Sequence, residues 1–333
     1  YEGNEQFPNY QSTVTCDASQ IIEARNIEEV QEAVTLANEL DKSLKVVSLN
    51  TSNSNSKFIC PEHGGILLNV WQMNQVLAVD EDLMTVTVEP GIRATELSEI
   101  LHGYDLAIRA MPDYTGVSIA GGIATAAHHS SLNIPSSMAD MVVGMKIVDG
   151  EGNLRVFDED TVASVATHLG MLGVVVEITL QAEPQFKLSY GHEKGSDIGL
   201  EYLIEEKVRE HDYARVMWFA GNDRYVMDYY DRVDNDTSGT SQHNLWESSA
   251  SAFRIAGDIP YRVLNSAPLR AQCDSALLRS MFWFAPIDSQ ESGWGKTVGW
   301  SHEMLGSYCT PGTCPWDVDN VKSRTMEAAF PLS

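Results

Sequence analysis

The chain has 333 residues with 43% hydrophobic and 21% charged side chains, an ordinary globular composition large enough for two domains. Asp and Glu outnumber Lys and Arg by 47 to 22, a formal charge of −25 whose field repels phosphate backbones and argues against a nucleic-acid partner. No apolar run approaches 18 residues, so no helical membrane span is expected.

From Ile21 the pattern alternates between helix and strand. "NIEEVQEAVTLANELD" opens on an Asn26 cap with acidic residues in its first turn, and it sets Val30, Ala33, Val34, Ala37 and Leu40 at helical spacing. "LKVVSL" reads as a buried strand, followed by the Ser, Asn and Thr run of "SLNTSNSNSKFIC" (48–60). "GILLNV" (65–70) and "MTVTVEPG" (84–91) read as strands, the second stopped by Pro-Gly. "ATELSEILHGYD" reads as a short amphipathic helix ended by Gly103. Residues 112–131, "PDYTGVSIAGGIATAAHHSS", are rich in small side chains. They either let backbone approach a ligand closely or pack a helix tightly on a sheet. They match neither the dinucleotide-binding G-x-G-x-x-G pattern nor a P-loop. His128 and His129 have no Cys or carboxylate nearby at metal spacing, so no metal site is expected, and no catalytic residue can be assigned from a nucleophile or acid–base motif. "MVVGMKIVDGEGNLRVF" reads as a β-hairpin and "GVVVEITLQAEPQFKL" as one long strand. Beyond Leu188 aromatics become frequent, with a hairpin expected over 213–233, which places a domain boundary near 188.

The five cysteines and two N-x-[ST] sequons, at Asn50 and Asn235, favour a secreted, glycosylated protein, and a start at Tyr1 fits either a removed signal or a trimmed end. Cys309 and Cys314 flank Thr-Pro-Gly-Thr and read as a small disulfide-closed turn.

Several segments, taken in order, resemble the FAD-binding domain of the vanillyl-alcohol oxidase superfamily, nearest to its aldonolactone and alditol oxidases and the plant L-gulonolactone oxidase-like proteins. They are "NIEEVQEAVTLANE", "KVV", "KFICP", "LNVWQMNQVLAVDEDLMTVTVEPGIRATEL", "SIAGGIATAAHHSS" and "HLGMLGVVVEITLQAEPQFKL", which cover about residues 10–190. The resemblance implies an α+β fold: a two-subdomain PCMH-type FAD-binding domain over 1–188, then a substrate-domain sheet over 189–333 that is truncated relative to the family. It implies FAD, a secreted oxidoreductase of the sugar-lactone or alditol type, and a small sugar-like substrate.

The cofactor-binding positions that the resemblance marks are Thr51, Ser52, Asn53 and Ser54 in the first loop. In and after the second loop they are Ser118, Gly121, Gly122, Thr125, Ala126, His128 and Ser130, then Gly173 and Val174. The family's flavin-attaching histidine falls on Asn53 or Thr51, so bound FAD would be non-covalent. Ala126 and His129 replace family glycines, and an Ala126 methyl is expected to crowd the diphosphate, while His129 has room to point outward. The plant-like branch implies a Cys16–Cys60 disulfide and leaves Cys273 free. The family's terminal His-Trp-Gly-Lys type motif does not follow "MEAAFP", which implies either a further C-terminal segment or chain that completes the domain or the loss of the catalytic half-site. Arg215, Arg224, Tyr229 and Trp218 are places to look for substrate contacts, set against their reading as packing and surface charge. The alternative function is a protein that kept the fold, lost FAD and serves an extracellular assembly as a structural or binding component.

Overall fold

The structure is a computed structural model that describes residues 5–8, 14–48, 57–62, 64–112, 114–219, 223–239 and 297–306. It opens with a two-stranded antiparallel ribbon, β1 (Glu5–Pro8) on β2 (Thr15–Ala18). Next comes a β-α-β unit, β3 (Gln20–Glu23), α1 (Ile27–Glu39) and β4 (Leu44–Val47), into which β5 (Ile66–Asn69) inserts as the central parallel strand. Asn26 caps α1 as its sequence predicts, its side-chain oxygen accepting from the Glu29 N–H at 2.8 Å. The apolar stripe Val30, Ala33, Val34 and Ala37 is buried, the first three in one cluster with Leu68, Val70 and Met73.

The second layer is a five-stranded antiparallel sheet. Its strands are β6 (Val76–Asp80), β7 (Thr85–Val88), β9 (Val142–Val148), β10 (Leu154–Phe157) and β11 (Val174–Gln181), in the order β10-β9-β11-β7-β6. Between β7 and β9 lie α2 (Ala94–His102), β8 (Leu106–Ala107) and α3 (Ile119–Ala124). Leu97 and Leu101 of α2 and Ile119 and Ile123 of α3 are fully buried in the main core beside Val86, Val88, Ile178 and Leu180.

A third sheet begins where one long strand was expected. "GVVVEITLQAEPQFKL" divides into β11, β12 (Glu183–Pro184) and β13 (Lys187–Ser196). The break lies at Ala182–Phe186, where β12 leaves its sheet to pair with β8 and the Gln185 N–H bonds to the Asp105 carbonyl. β13 then joins α4 (Leu200–Arg209), β14 (Tyr213–Phe219), β15 (Arg224–Val233) and β16 (Val298–Trp300) in a sheet of order β14-β15-β13-β16. The expected 213–233 hairpin is therefore present. Elements the sequence reading passed over also appear, among them β6, α3 and α4. α4 carries Leu200, Leu203, Ile204 and Val208 at helical spacing, yet none of its ten residues is fully buried, and Leu200 and Val208 pack on the sheet's outer face.

Two links close this framework. Cys16 and Cys60 form the expected disulfide, 44 residues apart, in a small cluster with Val47, Ile59 and Leu67. Cys273, Cys309 and Cys314 lie outside the described residues. At the other end α5 (Ser301–Met304) follows β16 and returns the chain to α2. The rings of His102 and His302 lie 4.1 Å apart, centroid to centroid. Gln185 bridges them, donating to His102 Nδ1 at 2.6 Å while accepting from the Ser301 hydroxyl at 2.7 Å.

Two outcomes are expected. A loop of this length gives a disulfide worth about 4 kcal/mol in chain-entropy terms, so the Cys16→Ser/Cys60→Ser double variant should lose roughly 2–4 kcal/mol in urea denaturation. Burial, and next the neighbouring His102, hold the His302 pKa below its ordinary value; burial, and next Lys45, do the same for His168. The unfolded chain therefore takes up these protons first as pH falls, so stability is full above about 6.5 and declines below it. Denaturation midpoints at pH 7.5 and 5.5 should differ in that sense, and His302→Gln should narrow the gap.

Candidate cofactor site

The second-loop residues fall on a structured element. Ser118 caps α3, its hydroxyl oxygen accepting from the Gly121 N–H at 3.3 Å. Gly122 faces the core, where an added Cβ would come within 2.8 Å of the fully buried Met138 sulfur, so a small residue is required by packing. Gly121 and Thr125, one turn apart, lie on the exposed edge of the helix. The Thr125 hydroxyl donates back to the Gly121 carbonyl at 2.9 Å. The N–H groups of Ile119, Ala120, Gly122, Ala126, Ala127 and His129 all donate within the protein. What this segment presents to a ligand is thus the Gly121–Thr125 edge and its hydroxyls.

The two departures from glycine behave differently. Ala126 has φ 54°, the left-handed region in which a Cβ is penalised by about 1–2 kcal/mol, so a family glycine there has a backbone reason. His129 does not point outward. It is 5% exposed and wedged edge-on against Tyr213 at 5.1 Å and Tyr230 at 5.9 Å. The next residues are tied to the same sheet: the Ser130 carbonyl accepts from the Ala214 N–H at 3.0 Å, and the Ser131 hydroxyl donates to the Asp212 carbonyl at 2.6 Å. His128 Nδ1 lies 3.0 Å from the His129 carbonyl.

A third segment converges here. The Leu169 N–H donates to the Ala124 carbonyl at 3.0 Å, which sets the turn 168–173 beside the C-terminus of α3. Lys45 of β4 reaches this turn: its ammonium sits 3.9 Å over the Phe58 ring and beside Gly170. Burial lowers the Lys45 pKa. Leu169, Met171 and Leu172 are exposed apolar side chains on the same turn. Gly173 has φ 132°, and a Cβ there would run into the Val148 carbonyl oxygen. Val174 is 2% exposed, its side chain in the core rather than turned to a ligand. Thr51, Ser52, Asn53, Ser54 and the Asn50 sequon lie outside the described residues, although β4 leads directly into that loop.

Of the four places singled out for substrate contact, Arg215 and Arg224 share the inward sheet face, with Arg224 at its exposed end. Tyr229 and Trp218 lie on the other face. Tyr229 stacks on His211 at 3.9 Å, and the Trp218 indole donates to Asp197 at 2.8 Å. The sequence reading missed Tyr190, His192 and Asp228. Their signal was the alternation in "LSYGHEK" and "VMDYYDR", which puts polar and aromatic groups on the inward face.

Comparison with known proteins agrees with this arrangement. Residues 18–158 match the family described as FAD binding domain. The chain is 28% identical to the L-gulonolactone oxidase of Mus musculus over 254 residues, 75% of this chain and 56% of that protein. It is 30% identical to L-gulonolactone oxidase 3 of Arabidopsis thaliana over 243 residues, 69% of this chain and 41% of that protein. The chain therefore spans about half the length of the curated relatives it matches. In fold it is similar to the cholesterol oxidase of Brevibacterium sterolicum, with a TM-score of 0.63 at 15% identity over 94% of this chain and 63% of that one. It is also similar to an alkyldihydroxyacetonephosphate synthase, with a TM-score of 0.54 at 16% identity over 64% and 46%.

Two glycine-related variants test the geometry of the site. Ala126→Gly should raise unfolding stability by about 0.5–1 kcal/mol, the left-handed penalty less the added freedom of the unfolded chain. Gly173→Ala should lower it by roughly 3 kcal/mol or more, because both the backbone and the space are refused. Urea midpoints measure both. Taken together, the convergent loops and the matched segment make residues 18–158 a PCMH-type FAD-binding domain, in a chain whose curated relatives include L-gulonolactone oxidases.

Proposed function

We propose that the protein is a secreted FAD-dependent oxidoreductase of the sugar-lactone or alditol type, with its flavin held without a covalent bond. The observation that carries this reading is the α3 segment, with its Gly121–Thr125 edge exposed and its tail sealed onto the third sheet. A dinucleotide along that edge would have its diphosphate beside Gly121, Thr125 and Ala126. It would meet Gly173 through backbone, since the Val174 side chain is committed to the core. Lys45 stands near enough to the same turn to offset phosphate charge. The chemistry FAD supplies in such a site is acceptance of a hydride from a carbinol carbon. This chain's residues bind and orient the substrate against it, and the third sheet excludes water from one side. Non-covalent attachment rests on Asn53 and Thr51, neither of which can form a histidyl–flavin bond. Secretion is supported by the Cys16–Cys60 disulfide and by the exposed sequon residue Asn235, whose side-chain amide donates to the Gln185 carbonyl at 3.2 Å. Asn50 and Asn235 are then the glycan sites and Cys309–Cys314 the second bridge, with residues 189–333 as the substrate domain.

Two observations favour the second reading, a fold retained without flavin. Ala126 keeps a methyl in a left-handed position where the family has glycine, and the 48–56 stretch contains no glycine at all. The visible spectrum separates the two. The oxidoreductase should be yellow, with an absorbance band near about 450 nm and flavin that passes through a filter after denaturation. A colourless protein that takes up no added FAD refutes the oxidoreductase, and flavin that stays with the denatured chain refutes non-covalent attachment.

A further inference from the structure

The segment 297–306 forms a short strap over α2. β16 pairs with only Lys187, Leu188 and Ser189 of β13, and α5 is a single turn. Met304 and Leu305 belong to the same core cluster as Leu97 and Leu101 of α2. Gly306 abuts Thr115, whose side chain an added Cβ would strike. The carbonyls of Thr115 and Val117 in turn accept from the Thr95 and Ala94 N–H groups at the start of α2, just before Ser118 and α3. The strap thus bears on α2 and on the lead-in to the cofactor-side helix.

A histidine pair that fits in its uncharged form fastens this strap. His102 of α2 and His302 of α5 both turn Nδ1 toward the Gln185 amide nitrogen, at 2.6 Å and 3.5 Å. That nitrogen is a donor, so both Nδ1 atoms accept and their protons sit on Nε2. Protonation of either Nδ1 sets N–H against N–H. Rotating the amide would turn its oxygen to the rings. It would also take the acceptor from the Ser301 hydroxyl, on a residue 2% exposed, and would leave two cations with ring centroids 4.1 Å apart. Glu99 of α2 and Glu303 of α5 favour protonated His302, but burial and then His102 outweigh them and lower its pKa. Lys187 of β13 stands 5.0 Å from the Trp300 ring, itself 5.7 Å from His102, and adds positive charge on that side. Glu183 is paired with Arg232. Asp105 before β8, and Asp234 and Asp236 beside the Asn235 contact to Gln185, are exposed to screening solvent. We propose that the His102–Gln185–His302 cluster is an acid-released latch, which holds the 297–306 strap on α2 at neutral pH and frees it when the pair is protonated, with the sheets of the FAD-binding domain still folded. Opening so short a segment costs less than global unfolding, so it comes first as pH falls. The latch does not depend on whether flavin is bound.

Hydrogen–deuterium exchange of the full chain at pH 7.5 and 5.5, corrected for the intrinsic dependence of exchange on pH, tests it. Protection of 297–306 should fall by roughly tenfold or more at pH 5.5, the factor for one proton taken up by an opened histidine of ordinary pKa, about 6.5. β9 and β11 should change far less. His302→Phe keeps a ring and removes one titration, so the drop should shrink. Gln185→Glu supplies an acceptor for imidazolium, so the strap should stay protected at pH 5.5, a gain that a mere packing role would not give. This second variant serves if His302→Phe does not fold. A strap equally protected at both pH values overturns the latch. So does a loss shared equally by β9 and β11, which is global unfolding, and so does a loss undiminished in the folded variants.

Discussion

The structure depends on the join between the tail of the small-residue segment and the start of β14. Three successive residues make it: His129 inserts between Tyr213 and Tyr230, the Ser130 carbonyl accepts from the Ala214 amide, and the Ser131 hydroxyl donates to the Asp212 carbonyl. A backbone ladder bond, a buried ring and a side-chain bond act at one place, so the loop cannot shift without opening the core that contains Leu188, Tyr213 and Tyr230. The position of the third sheet relative to the FAD-binding domain follows from this join. So does the direction in which the inward rows of that sheet face.

Around that join the polar groups are arranged by burial. Asp228 is deep and accepts from two donors. Arg232 pairs with Glu183, lies over the Phe186 ring at 4.0 Å and donates to the Tyr213 hydroxyl at 3.2 Å, so the strand break at Glu183–Phe186 is itself tied to the sheet it feeds. On the far side His102, His302, Gln185 and Ser301 join the 297–306 segment to α2. These are partly buried contacts, in which loss of one partner leaves another unsatisfied, and that sensitivity exceeds the net worth of each bond.

Much of the fold was legible in the sequence because it rests on short-range pattern. The Asn26 cap and the 3.6-residue stripe of α1, the Asp149–Asn153 turn and the β-branched run of β11 each declare themselves within about 15 residues. Residues 118–131 stood out by their small side chains, yet their helical form did not, because Gly121 and Gly122 are poor helix formers that tertiary packing on Met138 overrides. The strand break at 182–186 escaped notice because it is set by pairing with β8, about 75 residues earlier. The cluster on the inward face of that sheet escaped it too, because Tyr190, Arg215 and Asp228 come together only through strand register.

The sequence by itself determined the capped stripe of α1, the Asp149–Asn153 turn and the match of residues 18–158 to an FAD-binding domain, since each of these is carried by residue identity at fixed spacing. Only the tertiary structure decided that Ala126 occupies a left-handed backbone position, that His129 turns inward as a wedge, and that Asp228 is buried against Tyr190 and Arg215. Backbone angle, side-chain direction and burial arise from contacts between segments distant in the chain, and no local pattern encodes them.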